Sequence, residues 1–368
     1  MVVMFLSRLG SLNALEQSRP SRFWRRWLDA AVPSADTVGR VGNLVPAEDL
    51  RSLLHDLYSR LKRMKALTPP AHGLMAAVLD GHESHATFRR CCPACLERTV
   101  HPREGDDLQY YHRQVTLQLV GQDLSVILDV EPQKPGEDEV AAALRLLDRA
   151  LPVYPRAFDV VVVDALYADP RMFNHVLAHG KDIIAVLKAN QPGLLEDARG
   201  LWEQTVPETF SYEGRSHTCW DIEGFTSWPQ VTQPVRIVRS LEKRSIRRQI
   251  DGQVEELSSE WVWVTTLPKD RASTAAVTQL GHSRWTIENQ GFNELVNRWY
   301  ADHVYKHQPH AMLIFWLMAV ACLNLFLAFY RRDLKPAARR AASMLQIARM
   351  IAAELFGAIP AGPARAPM

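Results

Sequence analysis

Residues 284–299 read RWTIENQGFNELVNRW. At about 100° per residue, Trp285, Phe292, Leu295, Val296 and Trp299 fall on one stripe, the mark of a helix with one buried face. Glu288 projects onto the same stripe. A carboxylate turned into a core is costly unless it is protonated, paired or bound to a cation. The stretch therefore predicts partners for Glu288, and two aspartates upstream have a suitable setting. Asp80 closes the apolar run Ala-Ala-Val-Leu-Asp, and Asp164 closes Val-Val-Val-Val-Asp. Each run reads as a buried strand. If the two strands are neighbours, their terminal carboxylates emerge side by side. Like charges at that spacing repel and raise one pKa unless a cation sits between them. With Glu288 as a third oxygen ligand, the set suits Mg²⁺ or Mn²⁺, and two such ions serve phosphoryl transfer. The competing reading of either aspartate alone is a turn former or helix cap.

Outward from these residues the chain alternates in type. Residues 74–79 read as a strand ending in an Asp80-Gly81 turn, 110–120 as an alternating strand and 124–130 as a third strand. Residues 137–151 carry a helix with Val140, Leu144, Leu147 and Leu151 on one face. Residues 158–163 form a β-branched strand, 165–179 a helix, and 182–187 another buried strand. The order β-β-β-α-β-α-β predicts an α/β fold, a mixed sheet flanked by helices. Antiparallel strands are expected over 212–225, 235–250 and 261–267. Residues before 70 are helical, with Ser34 or Asp36 capping one helix and Pro46 opening another that Thr68-Pro69-Pro70 ends. The expected organisation is a helical N-terminal region over 1–70 with possible DNA-binding character, a catalytic core over 71–204, a β-rich insertion over 205–270, the helical second part of the core over 271–335, and a basic Ala/Pro-rich tail over 336–368. No internal repeat is evident.

The 368 residues are 47% apolar, which supports a packed core rather than disorder. The net charge of +2 names no partner. The cations are clustered, however. Arg22, Arg25 and Arg26 interleave with Phe23, Trp24 and Trp27; Arg236, Arg239, Lys243, Arg244, Arg247 and Arg248 crowd one segment; Arg331, Arg332, Lys335, Arg339 and Arg340 follow the last apolar run. Any one patch reads as a solvated face, and the three together point to nucleic-acid phosphates. The first residues lack a long apolar region and a small-residue cleavage site, so no secretory signal is expected. Five unevenly placed cysteines do not form a disulfide framework, which points to the reducing cytoplasm. Residues 311–330 are long and apolar enough to span a membrane, with Asn324 their strongly polar member. A helix buried on all sides gives the same pattern and is the reading adopted, with no membrane partner.

Cys91, Cys92 and Cys95 include one Cys-x2-Cys pair, with His82, His85, His101 and His112 nearby. Cys92, Cys95, Cys91 and His112 are candidate ligands of a structural Zn²⁺, with free reduced thiols the alternative. His303, His307 and His310 lack a Glu at metalloprotease spacing and suit capping or DNA contact better than a metal. Rival carboxylates are Asp129, the most serious, with Glu131, Asp159 and Asp169. Asp159 begins its strand, at the wrong end.

The element order, with Asp on the first strand, Asp after the fourth and Glu on a later helix, resembles the RNase H-like fold of DDE transposases. The β-rich insertion before the Glu helix resembles the insertion-sequence lineage whose helix carries Tyr-x2-Arg-x3-Glu-x6-Lys. Arg284-x3-Glu288 matches that signature, while Gly281 stands at the tyrosine position and Leu295 at the lysine position. Ser283 to Asn289 and Asp164-Ala-Leu-Tyr are also similar to that family, and the resemblance covers roughly residues 74–330. It implies a transposase in which Asp80, Asp164 and Glu288 hold Mg²⁺ or Mn²⁺, two ions in all, for cleavage at element ends and strand transfer to target DNA. Arg284 is expected to clamp a phosphate or orient Glu288, with an ordinary salt bridge to Glu288 as its plain alternative. Arg298, Arg244, Arg247, Arg25 and Arg26 are expected DNA contacts, and His282, Asn297 or Arg298 are expected to replace the missing signature residues. The implied setting is the bacterial cytoplasm and nucleoid, with a homo-oligomer assembled on DNA. The alternatives are an RNase H-like nuclease that cuts without joining, or a decayed or domesticated DNA-binding derivative.

Overall fold

The computed structural model describes residues 1–101, 105–247 and 252–356. Its centre is a run of β-branched and small apolar residues in three parallel strands flanked by antiparallel ones. Strand β1 (Ala76–Thr87) pairs in parallel with β5 (Val160–Val163), and β5 in parallel with β6 (Asp182–Val186). On its other side β1 pairs antiparallel with β3 (Asp107–Val120), and one edge of β3 carries both β2 (Leu96–Val100) and β4 (Val126–Pro132). The chain then adds β7 (Glu208–Tyr212), β8 (Arg215–Phe225), β9 (Val235–Arg247) and β10 (Val254–Thr265). Because β10 pairs antiparallel with β6, these four extend the same 10-stranded sheet. Omitting β2 and the added strands, the order β4-β3-β1-β5-β6 is that of an RNase H-like mixed sheet.

Alternation along the strands sorts the core into two layers. Ala77, Leu79, Val161, Val163, Ile183 and Ala185 face one layer, closed by α6 (Glu139–Val153) and α7 (Pro170–Ala178). Asp138 and Asp169 cap these helices, accepting the Ala141 and Arg171 N–H groups. A further helix, α8 (Pro192–Trp202), lies before the added strands. Ala76, Val78, Val160, Val162, Ile184 and Val186 face the opposite layer, against Val277 and Leu280 of α9 (Thr274–Ser283) and against Ile287 and Phe292 just beyond it.

The N-terminal helices α1 (Val2–Leu6), α2 (Leu12–Gln17), α3 (Arg22–Leu28), α4 (Ala35–Gly42) and α5 (Ala47–Arg63) do not form a core of their own. Val3, Leu15, Trp24, Leu50 and Leu54 share a cluster with Ile127 and Val130 of β4 and with α11 (Pro309–Ala328); α10 (Asn293–Trp299) joins it through Leu295 and Trp299. The last helices are α12 (Pro336–Ala341) and α13 (Met344–Phe356), and Ile347, Ala348 and Ala352 close the same cluster. Helix α11 is long and apolar enough to cross a membrane, yet 72% of its most apolar window is buried within the fold. The buried Asn324 in its second half ties it to the sheet. Asn324 accepts the Ile127 N–H at 3.0 Å and donates to the Ile127 carbonyl at 2.7 Å, where the β3–β4 register shifts.

Three local expectations change. Asp80-Gly81 is not a turn, because antiparallel pairing with β3 carries β1 on to Thr87. The helix expected over 165–179 is a single 3-10 turn, Ala165–Tyr167, followed by α7, since Asp169-Pro170 starts a new helix. Glu288 does not face the core: its side chain is 47% exposed, and Ile287 takes the buried position. Residues Ile287–Phe292 form a π turn inside an otherwise helical stretch. One inserted residue shifts the helix phase by about 100°, so the stripe defined by Leu295 and Trp299 continues through Ile287.

Candidate active site

Pairing of Ala76 with Val160 and Val78 with Val162 brings Asp80 level with Asp164. Both residues follow the even-numbered alternation, so they share the face on which α9 and the π turn pack. Asp80 is 9% exposed, and its Oδ1 accepts the Gly81 N–H at 2.9 Å. Asp164 is half-buried at the end of β5, where its Oδ1 accepts the Leu166 N–H at 2.8 Å. It therefore has the capping role as well as its place beside Asp80. Arg284 joins the helix to the strand. Its Nη1 donates to Asp80 Oδ2 at 3.1 Å and to Glu288 Oε1 at 2.6 Å. The structure thus brings Asp80, Asp164, Glu288 and Arg284 into one open cleft of about 470 Å³, shared with His82, Asn293 and Asn297.

One cation among three carboxylates leaves the cleft negative. Burial, reinforced by the Asp164 charge, raises Asp80 from an ordinary 3.8 to about 7, against the opposing pull of Arg284 and the Gly81 N–H. Oxygen donors with uncompensated charge fit a hard divalent cation. A support behind the cleft, on the other face of the sheet, was not legible in the sequence. A Cβ on Gly81 would stand 2.0 Å from Glu139 Oε1, so a larger residue there would push that carboxylate off its partners. Glu139 is buried and held by the Tyr167 hydroxyl at 2.5 Å and by Arg113 at 2.7 Å. Its position at a helix start gave only an ordinary first-turn acid, with nothing to mark this role.

A larger cleft of about 530 Å³ lies elsewhere, lined by Arg51, Glu131, Arg149 and Trp316 among others. Of its two lining carboxylates Glu131 is committed to arginines, while Asp302 keeps a buried Oδ1 without a hydrogen-bond partner among the described residues and has no second free carboxylate beside it in the lining. Asp129 accepts from Arg51 at 3.1 Å and Arg149 at 2.6 Å, and Glu131 accepts from Arg145 at 2.7 Å and Arg149 at 2.8 Å. The rival Asp129 is thus part of a buried ion network. Asp159 accepts the Met75 N–H, and Asp169 caps α7.

The expected DNA contacts divide. Arg284 lies in the cleft, whereas Arg298 pairs with Glu294 at 3.0 Å. Arg25 and Arg26 are exposed on α3, and Arg244 and Arg247 are exposed near the tip of the β9–β10 hairpin. Two members of the same basic segment are engaged. Arg236 is 2% exposed and bonds Asp221 through two nitrogens, and Arg239 lies between the Trp202 and Trp220 rings and pairs with Glu260. Strand alternation turns Arg236 inward, which composition could not reveal. Arg248 lies outside the described residues. His282 is bound to Glu242, so of the expected replacements it is Asn297 that reaches the cleft.

The two signature departures suit their settings, one through burial and one through close packing. Leu295 is fully buried, where a lysine would lose its hydration. A Cβ on Gly281 would meet Trp263 Nε1 at 2.2 Å, and that indole is 1% exposed. Gly281→Tyr is therefore expected to destabilise the fold by about 3 kcal/mol or more through overpacking. Thermal unfolding checks this: Trp263→Ala in the same chain should recover part of the loss, and an undiminished melting temperature for Gly281→Tyr alone would refute the steric account.

In the cysteine cluster, the Cys92 and Cys95 sulfurs lie 3.8 Å apart, and His112 Nε2 is 3.3 Å from Cys92 Sγ and 3.4 Å from Cys95 Sγ. Cys91 does not join them, because its thiol turns to the Arg89 carbonyl. His310, in the first turn of α11, bonds the Val45 carbonyl between α4 and α5 and does not cap its own helix. Compared with known proteins, the chain matches the family described as "Transposase DDE domain" over residues 86–325. Asp164 and Glu288 lie within the matched span, and Asp80 lies just before it. No curated protein matches the chain.

Proposed function

The chain belongs to the transposase DDE-domain family, and from that premise we propose that it cuts DNA at the ends of its element and joins the freed ends to target DNA. The observation that supports this reading is the meeting of Asp80, Asp164 and Glu288 in one cleft with Arg284 between two of them. In this reading the three carboxylates hold Mg²⁺ or Mn²⁺, two ions in all. When bound, such ions neutralise charge on the attacking and leaving oxygens of an in-line displacement.

The remaining work falls to the chain. Arg284 orients Glu288 and presents positive charge to the scissile phosphate. Water attacks that phosphorus, forming one P–O bond and losing a proton to solvent, while the bond to the 3′ oxygen breaks and that oxygen takes up a proton from solvent. The freed 3′-hydroxyl then attacks a phosphodiester of the target, so that one P–O bond again replaces another. Arg25, Arg26, Arg244 and Arg247, all exposed, contact phosphates outside the cleft, with Arg298 a lesser contributor because Glu294 already pairs with it. Asn293 and Asn297, which face the cleft on either side of the buried Leu295, supply polar contacts to DNA there. The N-terminal helices over 1–70 serve as a DNA-binding unit, and the chain works as a homo-oligomer on DNA in the bacterial cytoplasm and nucleoid.

The test uses duplexes carrying the genomic DNA that flanks the coding frame. Purified protein should nick them at the element boundary in Mg²⁺, produce a joined product with a second duplex, and do neither in a chelator. Nicking without any joined product would favour the plain nuclease. No cleavage in Mg²⁺ or Mn²⁺ would overturn the enzymatic reading and leave a DNA-binding derivative.

A further inference from the structure

Three ligand-type atoms outside the cleft already stand at metal-site spacing. Cys92 Sγ, Cys95 Sγ and His112 Nε2 lie within 4.8 Å of one another. Two thiolates bound to Zn²⁺ at about 2.3 Å with tetrahedral angles lie about 3.8 Å apart, and a sulfur and an imidazole nitrogen about 3.6 Å apart. The observed separations are 3.8 Å between sulfurs and 3.3 and 3.4 Å from sulfur to nitrogen. Cys92-Pro93-Ala94-Cys95 forms a turn in which the Cys95 N–H bonds the Cys92 carbonyl, and the Ala94 and Cys95 N–H groups also point at the Cys92 sulfur. Such donors support a metal-bound thiolate.

The neighbouring strand carries a fourth candidate, His85, whose ring nitrogens lie outside that 4.8 Å group, so its side chain must turn to complete the site. The β1–β3 register shifts between Glu83 and His85, so that a bulge at Ser84 sets His85 directly opposite His112. Directly opposed residues share a face, with Cβ atoms about 5 Å apart. His85 Nε2 is buried and has no hydrogen-bond partner among the described residues. On the other side of β3, Leu96 pairs with Tyr111, which brings Cys95 beside His112. His85, His112 and Cys95 thus form a row across β1, β3 and the start of β2, with Cys92 above it. His307 lies next to His85, with ring centroids 6.1 Å apart, but comes from the segment before α11 rather than from the sheet.

We propose that Cys92, Cys95, His112 and His85 form a structural Zn²⁺ site that staples the β1–β2 connection to the β1–β3 ladder. Softness and ligand number select Zn²⁺ over the hard cations suited to the carboxylate cleft. Its role is to fix the outer half of β1, the strand whose inner half carries Asp80. The site is independent of the proposed reaction, so the two can fail separately.

The experiment is metal analysis of the full chain purified without chelator from cells grown with zinc. About one zinc per chain is expected, and the same content is expected in Asp164→Ala, which alters only the carboxylate cleft. Cys92→Ser, Cys95→Ser and His112→Ala should each lose the metal. His85→Ala should retain it but release it to a chromogenic chelator about tenfold faster or more, while His307→Ala should release it as the parent does. Zinc removal should lower the melting temperature, and re-addition should restore it. A chain with no zinc, or with Cys92 and Cys95 joined as a disulfide, overturns the site. Unchanged release from His85→Ala overturns its place as fourth ligand.

Discussion

Replacing Asp80, Asp164 or Glu288 by alanine is expected to abolish Mg²⁺-dependent strand cleavage, with a rate loss of about a thousandfold or more. Each side chain lines the same 470 Å³ cleft, and none packs as a core residue whose loss would unfold the protein. DNA binding should be nearly unchanged, because phosphate contacts on the exposed arginines lie outside the cleft. The three variants should differ in stability. Asp164→Ala also removes the cap on Leu166 and should cost about 1 kcal/mol, whereas Glu288→Ala loses only a half-exposed pair with Arg284. Parallel measurements of cleavage, DNA affinity and melting temperature separate these effects. Full cleavage by any one variant rejects its assignment.

Asp80→Asn is expected to stabilise the protein while inactivating it. Burial and the Asp164 charge raise the folded Asp80 carboxyl from 3.8 to about 7. The sign follows from proton uptake: the folded state holds the proton more tightly than the unfolded chain. The resulting stability is fully present below about pH 3.8 and is lost as pH rises to about 7. Over that interval the loss is at most about 4 kcal/mol. An amide at the same position carries no charge to bury, although its single oxygen can accept from Arg284 or from the Gly81 N–H but not both. In a chelator at pH 8 the variant should therefore melt several degrees above the parent, and the gap should close toward pH 4. Mg²⁺ should raise the melting temperature of the parent and leave that of Asp80→Asn nearly unmoved. A variant that melts lower by the same amount at every pH would show that the Asp80 charge is not a burden on the fold.

The parts of this molecule that were legible in sequence are those where one residue's neighbours fix its setting. The apolar runs ending at Asp80 and Asp164 specify buried strands, and strand alternation alone puts both carboxylates on one face. The family signature around Arg284 and Glu288 places the helix beside them. What was hidden depends on contacts between distant segments. Nothing local shows that β10 pairs with β6 and so joins the β-rich insertion to the central sheet. Arg236 reads as a surface cation until Asp221 is brought opposite it. Glu139 packs against Gly81, where a larger residue would push its carboxylate off its partners. Glu288 was selected for a burial it does not have: a uniform 100° step turns it inward, and the π turn turns it out again.

That one extra residue separates two inheritances within a single helix. The half after it is answerable chiefly to Leu295, Trp299 and the packing of α11, with Asn293 and Asn297 on its cleft side, and Arg284 before it answers to the cleft. A point substitution in either half leaves the other's phase alone. Loss of a single residue between them would swing Arg284 and Glu288 around the axis together, toward the direction Ile287 now occupies. In the descent of this chain, gaps inside residues 289–291 should thus be rarer than replacements there, because length at that spot is what aims the carboxylate.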